Sequence, residues 1–260
     1  MKAVKIISVM LLLAVLWAGV AVTGCSSETT SLMVYCGAGM QEPMDEIAEL
    51  FEAKYGIEIN YNYAGSNTHL SQMELTQEGD VFMPGEAYYM EVAQGKGFVD
   101  TQETIAYHIP VITVPAGNPA GITCLSDLGR QGVKLVWGDP QAAAIGKVAN
   151  QILEQNGIYD EVWSNVVATT PTMNELIVYI AMGQADATIN WGDVVYGNED
   201  IEVIEIPKDQ NIIKTIPIGT LTFSENKKAA RQFVDFCASE VGKAVFAQHG
   251  FVAYPDARYE

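Results

Sequence analysis

Short apolar runs that break at small-residue turns and lead into amphipathic segments recur along almost the whole chain, and this alternation restricts the fold to the α/β class. Residues 32–36 form one such run, broken by Gly37-Ala38-Gly39. Over 43–55 the apolar Met44, Ile47, Leu50 and Phe51 fall at helical spacing, and Gly56 sits where a helix C-cap belongs. Residues 57–63 alternate as a strand does, Ala64-Gly65-Ser66-Asn67 turns the chain, and a helix is predicted over 68–76. Asp80-Val81-Phe82-Met83 reads as a third strand, with Pro84-Gly85 and a helix through Met90 and Val92 behind it. Strand, turn and helix in this order predict a mostly parallel sheet flanked by helices.

The β-prone stretch 109–114, interrupted by Pro110, is expected to be a crossing into a second lobe built on the same plan. There, Ser126-Asp127-Leu128 opens a short helix, 134–137 is a strand, and Gly138-Asp139-Pro140 turns into a helix over 141–156. A strand at 166–168, a helix at 175–182 closed by Gly183, and strands at 187–191 and 203–206 follow. The strand 216–223 is expected to return to the first lobe, and one long helix over 227–247 to close the chain, with Phe233, Val234, Cys237, Val241 and Val245 inward. The expected organisation is therefore an export signal at 1–24, a tether at 25–31, lobe 1 at 32–110 and 217–260, and lobe 2 at 111–216.

The signal rests on the N-terminus. Lys2 and Lys5 precede an apolar stretch over 6–22, and Val22-Thr23-Gly24-Cys25 leads into a polar run. That is the architecture of a secretory signal. Its end resembles the bacterial lipoprotein box, which implies lipid on the Cys25 thiol and cleavage just before it. Cleavage there leaves 236 of the 260 residues and removes two of the fourteen basic side chains, so twelve stand against 32 acidic ones and the net charge is −20. Nucleic-acid binding, which needs a basic surface, is excluded. An anionic ligand is not, because backbone N–H groups and helix N-termini hold anions without lysine or arginine. Cys36, Cys124 and Cys237 cannot all pair and match no zinc or redox spacing, so buried free thiols are expected.

Four strand-to-helix junctions offer free N–H donors: Gly37-Ala38-Gly39-Met40, Ala64-Gly65-Ser66-Asn67-Thr68, the run from Gly138 to Gly146, and the run from Thr170 to Glu175. The first N–H groups of a helix lack intrahelical partners and carry partial positive charge. Ligands of open α/β sheets bind beyond the carboxyl ends of the strands, where such junctions lie. Each junction also has a plain structural reading as turn and cap chemistry, including Thr170-Pro171 as an N-cap with proline behind it and Thr172 to Glu175 as a capping box.

At these residues the chain resembles the molybdate-binding proteins of the type II periplasmic-binding fold. The segments that carry the resemblance are the first two junctions, Gly79-Asp80-Val81-Phe82, Val136-Trp137-Gly138-Asp139-Pro140, Gly183-Gln184-Ala185-Asp186-Ala187 and the closing Gly250-Phe251. It implies a two-lobed α/β fold with a ligand cleft between the lobes and a role in handing a small oxyanion, molybdate or tungstate, to the membrane permease of an ABC importer. It further implies binding by Gly39 (where the family has a serine), Ser66 or Asn67, the backbone of Ala144, Ile145 and Met173, and Trp191 in place of a hinge tyrosine. The hinge is expected near 109–114 and 216–222, and the protein is expected to be a monomer without cofactor. Another small anion, a metal ion, or a sensor or adhesin role on the same fold are the alternatives. Catalysis is not expected: His69, His108 and His249 are far apart in sequence, no Gly-x-Ser-x-Gly elbow or P-loop occurs, and Ser66 with His69 reads as the first turn of a helix.

Overall fold

The computed structural model describes residues 30–259. The export signal, Cys25 and most of the tether lie outside the described residues. The first strands and helices follow the predicted order: β1 (Ser31–Gly37), α1 (Gln41–Tyr55), β2 (Glu58–Ala64), α2 (Ser66–Thr76), β3 (Val81–Met83) and α3 (Ala87–Gly95). Gly56 caps α1 in the left-handed region at φ 66°, its N–H donating to the Glu52 carbonyl. Next comes β4 (Val99–His108), a ten-residue strand not anticipated from the sequence. Its first half carries Asp100, Gln102 and Glu103, which dilute the apolar signal that marks a strand.

The chain continues through β5 (Pro110–Pro115), β6 (Leu135–Gly138), α4 (Ala144–Gln155), α5 (Tyr159–Trp163), β7 (Val166–Thr170), α6 (Met173–Ala181), β8 (Thr188–Trp191) and β9 (Ile201–Glu205). It ends with β10 (Lys214–Leu221), α7 (Lys227–Ala238), α8 (Glu240–Gln248) and β11 (Val252–Ala253). A six-stranded sheet has the order β11-β4-β10-β3-β1-β2, while a three-stranded sheet β8-β5-β9 and a pair β6-β7 belong to the second lobe. A parallel bridge from Leu135 to Ala187 links β6 to the start of the β8 segment. Both lobes are mixed. β1 pairs in parallel with β2 and β3, and β6 with β7. The strands that leave and return, β5 and β10, make antiparallel pairs, which gives a larger antiparallel share than the strand–helix alternation predicts.

Alternation along β1 sorts its side chains onto two faces. Leu32, Val34 and Cys36 join Ile47, Phe51, Phe233 and Phe246 in one core, and Tyr35 joins Leu70, Met73, Phe82 and Met90 in another. The second lobe has its own core around Trp137, Ile145, Ile152, Leu176, Ile180 and Ile189.

The closing helix differs from expectation. It breaks at Ser239, whose backbone is extended and whose hydroxyl accepts from the Gly242 N–H to start α8. Val241 is consequently half exposed instead of inward. The break is tight: a Cβ on Gly242 would lie 2.3 Å from the Cys237 carbonyl oxygen.

Candidate ligand-binding site

Register brings the first-lobe junctions together. Gly37 pairs with Ala64 and Cys36 with Met83, so the C-terminal ends of β1, β2 and β3 lie side by side. At Gly37 the packing is close, since a Cβ would sit 2.7 Å from the Met40 Cε and 3.1 Å from the Gly85 nitrogen. Gly39, Gly65 and Gly85 are the opposite case. A Cβ on any of them would meet nothing within 4 Å, and none has a positive φ. Neither backbone geometry nor protein packing therefore demands glycine there, and the bare backbone is left open to close approach.

Ser66 is the first residue of α2 and Gly65 its N-cap, so the serine does not cap its own helix. Its Oγ instead accepts from the Gly85 N–H at 3.2 Å. A hydroxyl that accepts in this way retains its own proton for another partner. Asn67 follows in the same turn, and the N–H groups of Ser66 and Asn67 lie among the helix donors without intrahelical acceptors. Gly39 lies in the 3-10 turn Ala38–Met40. Gly85, which fixes the Ser66 hydroxyl, was not singled out by sequence; only its position after a third strand hinted at it.

In the second lobe Gly138 pairs with Thr170, and the Asp139 N–H donates to the Thr170 carbonyl at 2.8 Å. The helix behind Gly138 starts at Ala144 rather than at 141. Asp139 explains the delay, because its carbonyl accepts from the Ala142 and Ala143 N–H groups and its Oδ1 accepts from the Gln141 N–H at 2.8 Å. The free donors thus fall at Ala144 and Ile145, the first two helical residues. Gly146 allows this start to press on the strand end, since a Cβ there would sit 2.1 Å from the Gly138 carbonyl oxygen.

Helix α6 starts at Met173. Its cap is Thr172, whose Oγ1 accepts from the Glu175 N–H at 3.3 Å. The reading of Thr170-Pro171 as the cap is therefore corrected: the Thr170 hydroxyl donates to the Thr172 carbonyl at 3.0 Å, and Pro171 lies before the helix. Asn190, fully buried, ties two candidate residues together. Its Oδ1 accepts from the Trp191 N–H at 2.9 Å and its Nδ2 donates to the Met173 carbonyl at 3.4 Å. The sequence signal for this residue is an asparagine in a strand between Ile189 and Trp191.

Trp191 ends β8 and is buried. Its ring stacks on His108, the last residue of β4, with centroids 3.8 Å apart and planes 22° from parallel. The His108 Nε2 lies 3.2 Å from the Asp193 Oδ1, although not aligned as a hydrogen bond. Gly39, Ser66 and Asn67 thus gather at one sheet edge, and Ala144, Ile145, Met173 and Trp191 at the strand ends of the other lobe. Among the described residues no hydrogen bond joins the two sets; the His108–Trp191 stack is a contact between strands of the two lobes.

The remaining chemistry-bearing groups sit elsewhere. His69 is fully buried between Tyr35 and Phe82, with both ring nitrogens lacking a hydrogen-bond partner among the described residues. Burial pushes its pKa down, offset only in part by the nearby Asn62 backbone. His249 pairs with Glu46 at 2.9 Å on the α1 side of the first lobe. Cys36 and Cys237 are free thiols in the first-lobe core whose pKa values burial pushes up. Among the described residues no three His, Cys, Asp or Glu side chains are placed to hold a metal ion.

Two α/β lobes joined by returning strands, with helix N-termini gathered at the strand ends, define a two-lobed binding protein of the type II periplasmic class. The chain belongs to the bacterial extracellular solute-binding protein family, whose model matches residues 32–252. A Haemophilus influenzae protein described as a binding protein is 29% identical over 88% of this chain and 94% of its own length. The molybdate-binding protein ModA of Mycobacterium bovis is 26% identical over 88% of this chain and 87% of its own length. Among solved structures, a substrate-binding domain assigned to a molybdenum ABC transporter of Clostridium difficile superposes with a TM-score of 0.78 at 22% identity, covering 86% of this chain and 98% of that one. Among the described residues no helix is long and apolar enough to cross a membrane.

Proposed function

We propose that the protein captures a small tetrahedral oxyanion, molybdate or tungstate, between the two sets of helix N-termini and delivers it to the membrane permease of an ABC importer. The observation that carries this reading is the gathering of uncharged donors at the strand ends of both lobes in a chain with net charge −18. A dianion held by N–H and O–H dipoles needs no formal positive charge nearby. The Ser66 hydroxyl, the N–H groups of Asn67, Ala144, Ile145 and Met173, and the Trp191 indole N–H are the donors assigned to it, with the open backbone at Gly39 beside them. A donor-only indole suits a fully deprotonated oxyanion, which offers only lone pairs. The relatives' ligand supports the same choice, since ModA of Mycobacterium bovis is a molybdate-binding protein.

The lobes, taken as 32–110 with 217–260 and as 111–216, hinge about 109–114 and 216–222. Ligand favours the closed arrangement, which is the one presented to the permease. The protein is exported, held at the membrane surface by lipid on Cys25, monomeric and not an enzyme. One observation favours a second reading: the open space at Gly39, where the family carries a serine, would also admit a bulkier anion. Thermal unfolding of the chain from Ser26 onward tests the choice. Molybdate at a hundred times its Kd should stabilise the fold by about 2.7 kcal/mol. No shift with molybdate or tungstate, but one with a small organic acid, would replace the first reading by the second.

A further inference from the structure

We propose that His108 is a positioning residue for the ligand site, one that aims the Trp191 indole from the opposite lobe. The inference rests on the reading of Trp191 as a ligand donor. The Trp191 backbone is already fixed: it pairs with Pro110 in the β5–β8 ladder, its N–H donates to Asn190, and the next N–H, of Gly192, donates to the Ile109 carbonyl at 2.9 Å. Backbone placement leaves the side-chain torsions free, and these decide where the indole N–H points. The His108 ring, lying 3.8 Å from the indole and near-parallel to it, blocks rotamers that would swing the indole to that side. Phe251 stands 6.3 Å from the imidazole and Asp193 Oδ1 3.2 Å from its Nε2, so both neighbours lie against His108.

The placement has a further consequence. His108 belongs to the six-stranded sheet and Trp191 to the three-stranded one, and Ile109 alone separates His108 from the strand that pairs with Trp191. The donor is therefore aimed only while the two sheets keep their relation at the crossing. Site geometry and hinge position are coupled through one stacked pair.

The test compares His108→Phe, which keeps an aromatic plate but cannot pair with Asp193, with His108→Leu, which fills similar space without a plane. Emission of Trp191, isolated by subtraction against Trp191→Phe, is measured in ligand-free protein, and the molybdate Kd is measured alongside. We expect His108→Leu to alter the emission and weaken binding about tenfold, and His108→Phe to stay within about threefold of the parent, with all variants folded. Emission and affinity both unchanged in His108→Leu would overturn the proposal, as would equal loss in both variants. If the parent binds no molybdate, the oxyanion reading fails by itself. The ligand-free emission then still decides whether His108 holds the indole.

Discussion

Single side chains set the first expectations. His69 is buried without a hydrogen-bond partner among the described residues, and its pKa is lowered from 6.5 by burial. The unfolded chain therefore takes up a proton at a higher pH than the folded one. Stability from this group is complete above about 6.5 and declines as pH falls below it, until the folded pKa is reached. Denaturant titrations from pH 7.5 to 5 should show a smaller acid loss in His69→Leu than in the parent. Identical pH slopes would contradict the account. Ser66 gives a second residue-scale outcome. Replacing it with alanine removes the hydroxyl proposed to donate to the ligand and takes away the acceptor of the Gly85 N–H. Calorimetric titration should then show molybdate binding weakened about ten- to a hundredfold, in line with a charge-assisted hydrogen bond of about 1.5–3 kcal/mol.

Elements carry the site because backbones touch. The α4 start presses on the β6 end through Gly138 and Gly146, so Gly146→Ala must push the helix away from the strand. Overpacking of this kind costs about 1–3 kcal/mol. The loss should appear as a lower urea midpoint together with weaker ligand binding, because Ala144 and Ile145 would shift with the helix. At this scale the sequence was informative where glycine marked a turn: β1, β2, β3, β6 and β8 and the helices behind the junctions were recognisable, as was the Gly56 cap. It was uninformative where tertiary contacts decide. The carbonyl of Asp139 delays α4, Ser239 splits the closing helix, and β4 hides behind its polar first half. The candidate site divides in the same way. Glycine-rich turns and the family resemblance pointed to residues from Gly39 to Trp191, whereas Gly85, Asn190 and the positioning role of His108 depend on neighbours far away in sequence.

The whole molecule is acidic, with a net charge of −18 over 260 residues, and its proposed ligand is an anion. Long-range repulsion should slow their encounter and salt should relieve it, because the screening length shrinks from about 30 Å at 0.01 M to about 8 Å at 0.15 M. Stopped-flow association rates for molybdate are expected to rise with salt over this range; a fall would indicate a cationic patch guiding the ligand. The first lobe also joins segments that are distant in the chain. The buried Asp80 accepts from the Met33 N–H at 2.9 Å and from the Ser224 hydroxyl, joining β1 to the segment that follows β10. In the proposed complex, uncharged donors at the strand ends of the two lobes hold a tetrahedral metal oxyanion. Titration calorimetry on the chain from Ser26 onward, with molybdate, tungstate and sulfate in turn, tests it most directly. Tight binding of the first two, weak binding of sulfate, and loss of affinity in Trp191→Phe are the results predicted. Equal affinity for sulfate, or no heat with any of the three, would contradict it.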